Sequence, residues 1–132
     1  VLVAVVLAVA LVLPASAGAL TYREQRALQV AKIYWGRLPC GGEIDLVRVS
    51  ALAITGDAAA RAVLPCTVEF NADALPSMIW PLYCTRMVHE IGPLLGYSHS
   101  ADPQSVMNPS PANYKRCDHS PAWSLAHPIS SS

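Results

Sequence analysis

His89-Glu90-Ile91-Gly92-Pro93-Leu94-Leu95-Gly96-Tyr97-Ser98-His99, followed by Ser105-Val106-Met107-Asn108-Pro109, is the stretch on which the reading of this chain turns. Pro81 suits the first turn of a helix, because its missing amide hydrogen has no partner there, and the helix is expected to run to about Leu94. Cys84, Val88, Ile91 and Leu95 fall on one stripe of it, the expected buried side. Two residues four apart on an α-helix lie about 40° apart around the axis and project side by side. The position four after His89 is Pro93, which has no ligating atom. Its ring also presses on the His89 carbonyl, a conflict that costs roughly 3 kcal/mol inside a helix or bends it. Gly96 then allows a turn with positive φ, after which His99 can return toward His89.

Upstream, Thr21-Tyr22-Arg23-Glu24 has the form of a capping box at the head of a helix, and Ala27, Leu28, Ala31, Tyr34 and Trp35 recur at helical spacing. Gly36 and Pro39 provide the stop, and the Leu28/Trp35 side is expected to pack on a sheet. Residues 43–50 are rich in branched side chains and read as a strand. Residues 66–71 alternate, with Cys66, Val68 and Phe70 on one face and Thr67, Glu69 and Asn71 on the other. The Ala-rich segment 56–64 between them fits either a short helix or a loop with a strand. Beyond Ser98, Pro103, Pro109, Pro111, Pro121 and Pro128 exclude long regular elements.

The first 13 residues are all Val, Leu or Ala, and they lead into Pro14-Ala15-Ser16-Ala17-Gly18-Ala19, which holds two overlapping small-x-small patterns. Residues 1–19 therefore read as a secretory signal peptide, with a membrane anchor as the alternative, and residues 20–132 as one domain. Nine basic residues balance nine acidic ones with no Lys/Arg run, so the chain carries no footprint for nucleic acid or acidic lipid. Cys40, Cys66, Cys84 and Cys117 all lie beyond the leader, and an even count in an exported chain points to disulfides. Sequence does not separate the three possible pairings. Cys40 with Cys66 and Cys84 with Cys117 is the pairing carried forward as the expectation. Each bridge then closes a loop of about thirty residues, a stabilisation on the order of 3.5 kcal/mol in the chain-entropy picture.

The motif resembles the zinc signature of the metzincin metallopeptidases, H-E-x-x-H-x-x-G-x-x-H followed by a Met-turn, and is closest in style to the matrixins. His89, Glu90, Gly96, His99 and Met107 match that pattern, and Pro93 departs from it at the second histidine. The resemblance implies a metzincin-like zincin domain of the α+β class, a small twisted sheet with a packed N-terminal helix and an active-site helix. It implies zinc held by His89 and His99, Glu90 as the catalytic base for zinc-activated water, and Met107 as an apolar floor. By the same analogy Thr67 to Asn71 is expected to be the edge strand along which an extended peptide substrate lies.

A secreted, monomeric peptidase acting on a peptide or protein substrate is the function so implied. With Pro93 in place, impaired catalysis is expected, and the alternative is a catalytically inactive secreted domain that binds a protein or peptide. Replacement ligands from Asp102, His119 or His127 are open to consideration. A single base change separates a histidine codon from a proline codon.

Overall fold

The structure is a computed structural model that describes residues 18–50, 59–109 and 117. Its elements run α1 (Tyr22–Trp35), β1 (Asp45–Val49), β2 (Ala60–Val63), β3 (Thr67–Asn71) and α2 (Trp80–Leu94), with 3-10 turns at Cys40–Gly42 and Leu75–Ser77. This is a small α+β architecture, two helices and a three-stranded mixed sheet. Residues 1–17, which make up most of the expected leader 1–19, and most of the proline-rich tail lie outside the described residues.

Helix α1 begins as its sequence dictates. The Thr21 hydroxyl accepts from the Glu24 amide at 3.2 Å, and the Glu24 carboxylate accepts from the Thr21 amide at 2.6 Å. Two otherwise orphaned N–H groups are satisfied reciprocally. At the other end Gly36 takes the left-handed conformation, φ 74°, that stops the helix. The Leu28/Trp35 side is buried, but against α2 rather than on the sheet as expected, and there the Trp35 indole N–H donates to the Val88 carbonyl at 2.9 Å.

Strand β3 lies at the centre of the sheet, in the order β1-β3-β2. It pairs in parallel with β1, Leu46 opposite Val68, and antiparallel with β2, Ala62 opposite Val68. The alternation read from the sequence holds: Val68 and Phe70 are buried, and Thr67, Glu69 and Asn71 are partly covered on the other face. Its expected edge position is wrong. The Ala-rich segment supplies strand β2, and pairing on both sides leaves β3 no free edge. Alanine favours helix in isolation, but a three-residue connection through Leu64, Pro65 and Cys66 folds residues 60–63 back along β3 as a hairpin. The antiparallel edge strand beside α2 is therefore β2.

Helix α2 is buried over most of its surface, with Tyr83, Cys84, Thr85, Met87, Val88, His89, Glu90, Ile91 and Gly92 all inside. The expected stripe of Cys84, Val88 and Ile91 is fully buried, and Leu95 is half-buried. Tyr83 stacks on Phe70 of β3 with ring centres 4.9 Å apart. The disulfides join Cys40 with Cys66 and Cys84 with Cys117. The first ties the turn after α1 to the start of β3, and the second ties α2 to the tail. No helix among the described residues is long and apolar enough to cross a membrane.

Candidate metal centre

Pro93 does not break α2, because it falls in the last turn, where the helix is about to end. It supplies no N–H to the His89 carbonyl. The helix then closes in a Schellman arrangement: the Tyr97 amide bonds the Gly92 carbonyl at 3.0 Å and the Gly96 amide bonds the Pro93 carbonyl at 3.0 Å. Gly96 has φ +94°, a conformation that side chains with a Cβ resist. This reversal carries His99 back over the helix end.

The two histidines meet. Their Nε2 atoms are 3.2 Å apart, and their rings lie stacked with centres 5.1 Å apart and planes at 23°. His89 is buried, and its Nδ1 lies 2.7 Å from the Val106 carbonyl. A carbonyl only accepts, so Nδ1 carries the proton and Nε2 presents its lone pair toward His99. Burial above all pushes the His89 pKa down, the bond to Val106 opposes that, and His99 and Arg86 lower it further. A neutral, oriented imidazole results. His99 is exposed.

Beneath the helix end, residues 100–108 form a run of tight turns. The Ser105 amide bonds the Asp102 carbonyl, the Asn108 amide bonds the Ser105 carbonyl, and Ser100 and Met107 close the loop with a 3.1 Å bond. Met107 is buried, and its thioether lies so close to α2 that a Cβ built on Gly92 would stand 2.4 Å from the sulfur and 3.1 Å from the Trp35 ring. Gly92, Trp35 and Val106 thus belong to the site, although the spacing of the motif does not single them out. A glycine inside a helix costs about 1 kcal/mol relative to alanine, and that cost is the signal that a close packing contact needs it.

Glu90 is buried on the side of α2 that meets β2. The Asn71 amide bonds the Ala59 carbonyl, which makes residues 59 and 71 a hydrogen-bonded pair of the antiparallel ladder. By alternation the Arg61 and Val63 backbone groups turn toward β3, and those of Ala60 and Ala62 turn outward. The Glu90 carboxylate takes a hydrogen bond from the backbone of Ala62. Its pKa is pushed up to about 7, chiefly by burial, against the lowering effects of Arg86 and of that hydrogen bond. Among the described residues no strand pairs with the outer edge of β2.

Two imidazole nitrogens bound to one tetrahedral zinc at ~2.0 to 2.1 Å stand about 3.3 Å apart. The 3.2 Å between His89 and His99 fits that, and so does the backbone partner on the second nitrogen of His89. The third position does not fit. Pro93 offers no donor, and among the described residues no three His, Cys, Asp or Glu side chains converge on one point. Asp102 is exposed and uses Oδ1 to accept from the Gln104 amide at 2.8 Å, a turn-forming role away from the histidine pair. His119 and His127 lie outside the described residues. The donors present are two of the three that a three-histidine site needs.

Compared with known proteins, the chain matches no family model, no curated protein and no solved structure.

Proposed function

We propose that this chain is a secreted metalloendopeptidase-like domain of metzincin type, in which Pro93 has removed a zinc ligand and impaired peptide-bond hydrolysis. The observation that carries the reading is the convergence of the His89 and His99 Nε2 atoms, with the other nitrogen of His89 held by the residue next to Met107. Four sequence positions that resemble the family's signature also occupy mutually consistent places: the histidines meet, Gly96 makes the turn and Met107 lies under the helix, while the Glu90 carboxylate is buried toward β2. Export is supported by the two disulfides, which persist in an oxidising compartment.

The outer edge of β2 supports a peptide or protein as the bound molecule only at Ala60, whose backbone groups turn outward where an extended chain can add as a further strand; the outward Ala62 amide is bonded to Glu90. Glu90 lies against this edge as a buried carboxyl whose raised pKa suits proton transfer near neutrality. A catalytically silent peptide-binding domain uses the same edge without the chemistry. Pro93 is the specific observation that favours it.

Replacing Pro93 by His separates the two. The Pro93→His chain should acquire peptidase activity that a chelator abolishes and that Glu90→Gln removes again. Peptide binding without any gain of cleavage would leave the silent domain as the function.

A further inference from the structure

We propose that the Cys40–Cys66 disulfide is a redox-sensitive clasp: a dithiol reductant opens it while Cys84–Cys117 stays closed, and opening it loosens β1 and β2 but not α2. The two bridges lie in opposite surroundings. Cys84 and Cys117 are 0% and 3% exposed, so no sulfur of that pair meets solvent. Cys40 is exposed and Cys66 partly so. Thiol exchange begins when a thiolate reaches a sulfur, so a bridge at the surface is open to attack and a buried one waits for unfolding. The backbone adds a second difference. Cys40 has φ 53°, the one positive φ of a non-glycine residue among the described residues, and Gly41 and Gly42 continue the left-handed run at 65° and 91°. A residue with a Cβ is disfavoured in that conformation. The bridge to Cys66 helps to hold Cys40 there, and opening it lets the residue return to an ordinary conformation.

The segment that the bridge encloses, residues 41–65, contains all of β1 and β2. Among the described residues each of these strands is paired on one side only, to β3. With the bridge open, their remaining ties are ladder bonds such as that from the Asp45 amide to the Cys66 carbonyl at 3.0 Å. Helix α2 keeps its own bridge at Cys84 and its bond from Trp35 to Val88. The clasp therefore acts on the strand whose Ala62 backbone bonds Glu90 and spares the helix that carries Glu90. The chemistry is ordinary exchange. The reductant's thiolate attacks the exposed Cys40 sulfur, the S–S bond breaks, and Cys66 leaves as a thiolate that takes a proton. The reductant's second thiol, as its thiolate, then displaces Cys40, so the reductant ends as its own disulfide and the chain gains two thiols.

The test exposes the full, oxidised chain to graded dithiothreitol without denaturant, traps thiols with iodoacetamide at intervals and maps them by mass spectrometry, with amide hydrogen exchange followed on the same samples. Cys40 and Cys66 should be alkylated roughly tenfold faster or more than Cys84 and Cys117. The amides of β1 and β2 should then exchange roughly tenfold faster or more, while those of residues 83–91 in α2 keep their protection. Replacing both residues, Cys40→Ala with Cys66→Ala, should give the same fast exchange in β1 and β2 with no reductant present. Alkylation of the two pairs at one rate would overturn the proposal, because both bridges would then open only through global unfolding. Selective alkylation with no change at β1 and β2 would also overturn it, since the bridge would constrain neither strand. Loss of protection in α2 as well, in the reduced chain or in the double variant, would make the bridge a brace for the whole fold and would overturn it too.

Discussion

The two sides of Glu90 are built on opposite terms. Toward Met107 the end of α2 is packed so closely that Gly92 has no room for a side chain, and Trp35 closes the same space with its indole bonded to Val88. Toward β2 the helix faces a strand whose outward backbone groups pair with no strand among the described residues. The packed side fixes the position of the histidines, and on the other side Glu90 bonds the Ala62 backbone at the outer edge of β2. Packing and the Gly96 reversal hold the two histidines together whatever stands at position 93; on the proposed reading, that residue decides only the donor count.

Disrupting the packed side should cost most. Trp35→Ala removes a large buried ring and leaves the space under Gly92 unfilled, and the expected loss is roughly 3–5 kcal/mol in urea denaturation. A loss below about 1 kcal/mol would mean that the helix end is loosely packed. The paired expectation is that Trp35→Ala, added to Pro93→His, lowers the zinc which that chain retains.

The next effect is in pH. Glu90 has a folded pKa of about 7, raised from an ordinary value near 4.5. The fold thus favours the neutral carboxyl, and this contribution is fully present below pH ~4.5 and lost as the pH rises through 7. Metal-free protein in a chelator should lose stability on the order of a few kcal/mol across that window, and Glu90→Gln should flatten the profile. An unchanged slope in the variant would assign the pH dependence to other groups.

Gly92→Ala comes third, with an expected loss of roughly 1–3 kcal/mol by thermal or urea unfolding, because the new Cβ displaces the Met107 sulfur and presses on Trp35. Ordinary helix propensity predicts the opposite sign, a gain of about 1 kcal/mol. The sign alone therefore decides whether the close contact is real. On the open side, Arg61→Ala removes a cross-strand ion pair with Glu69 whose arginine is 43% exposed, and the expected change is below about 1 kcal/mol. A larger effect there would erase the contrast between the two sides.

What could be read from the sequence followed the range of the interactions involved. The capping box at Thr21, the Gly36 stop and the reversal at Gly96 depend on residues within a few positions of one another, and each stands where the sequence places it. The pairing of Cys40 with Cys66 and Cys84 with Cys117 also follows the expectation. Sheet order did not follow, because the place of β3 depends on residues 60–63 abandoning their helical preference to pair with it. Gly92 carried a weak local signal, but its partners, Met107 and Trp35, are distant in sequence. At the candidate metal centre, the resemblance implied that His99 returns to His89, and the two Nε2 atoms do lie 3.2 Å apart. The bond from His89 to Val106 comes from the way the turns beneath the helix fold, which spacing alone does not contain.

The most direct test of the central claim is equilibrium dialysis against zinc of the native and Pro93→His chains, with bound metal counted by elemental analysis and thermal unfolding followed in parallel. If the site is a preorganised pair of histidines lacking the third ligand, Pro93→His should retain one zinc per chain, and zinc should raise its unfolding temperature, since a ligand that binds only the folded state stabilises it. The native chain should retain substantially less than one. Equal retention by the two chains, whether one zinc each or none, would contradict the account.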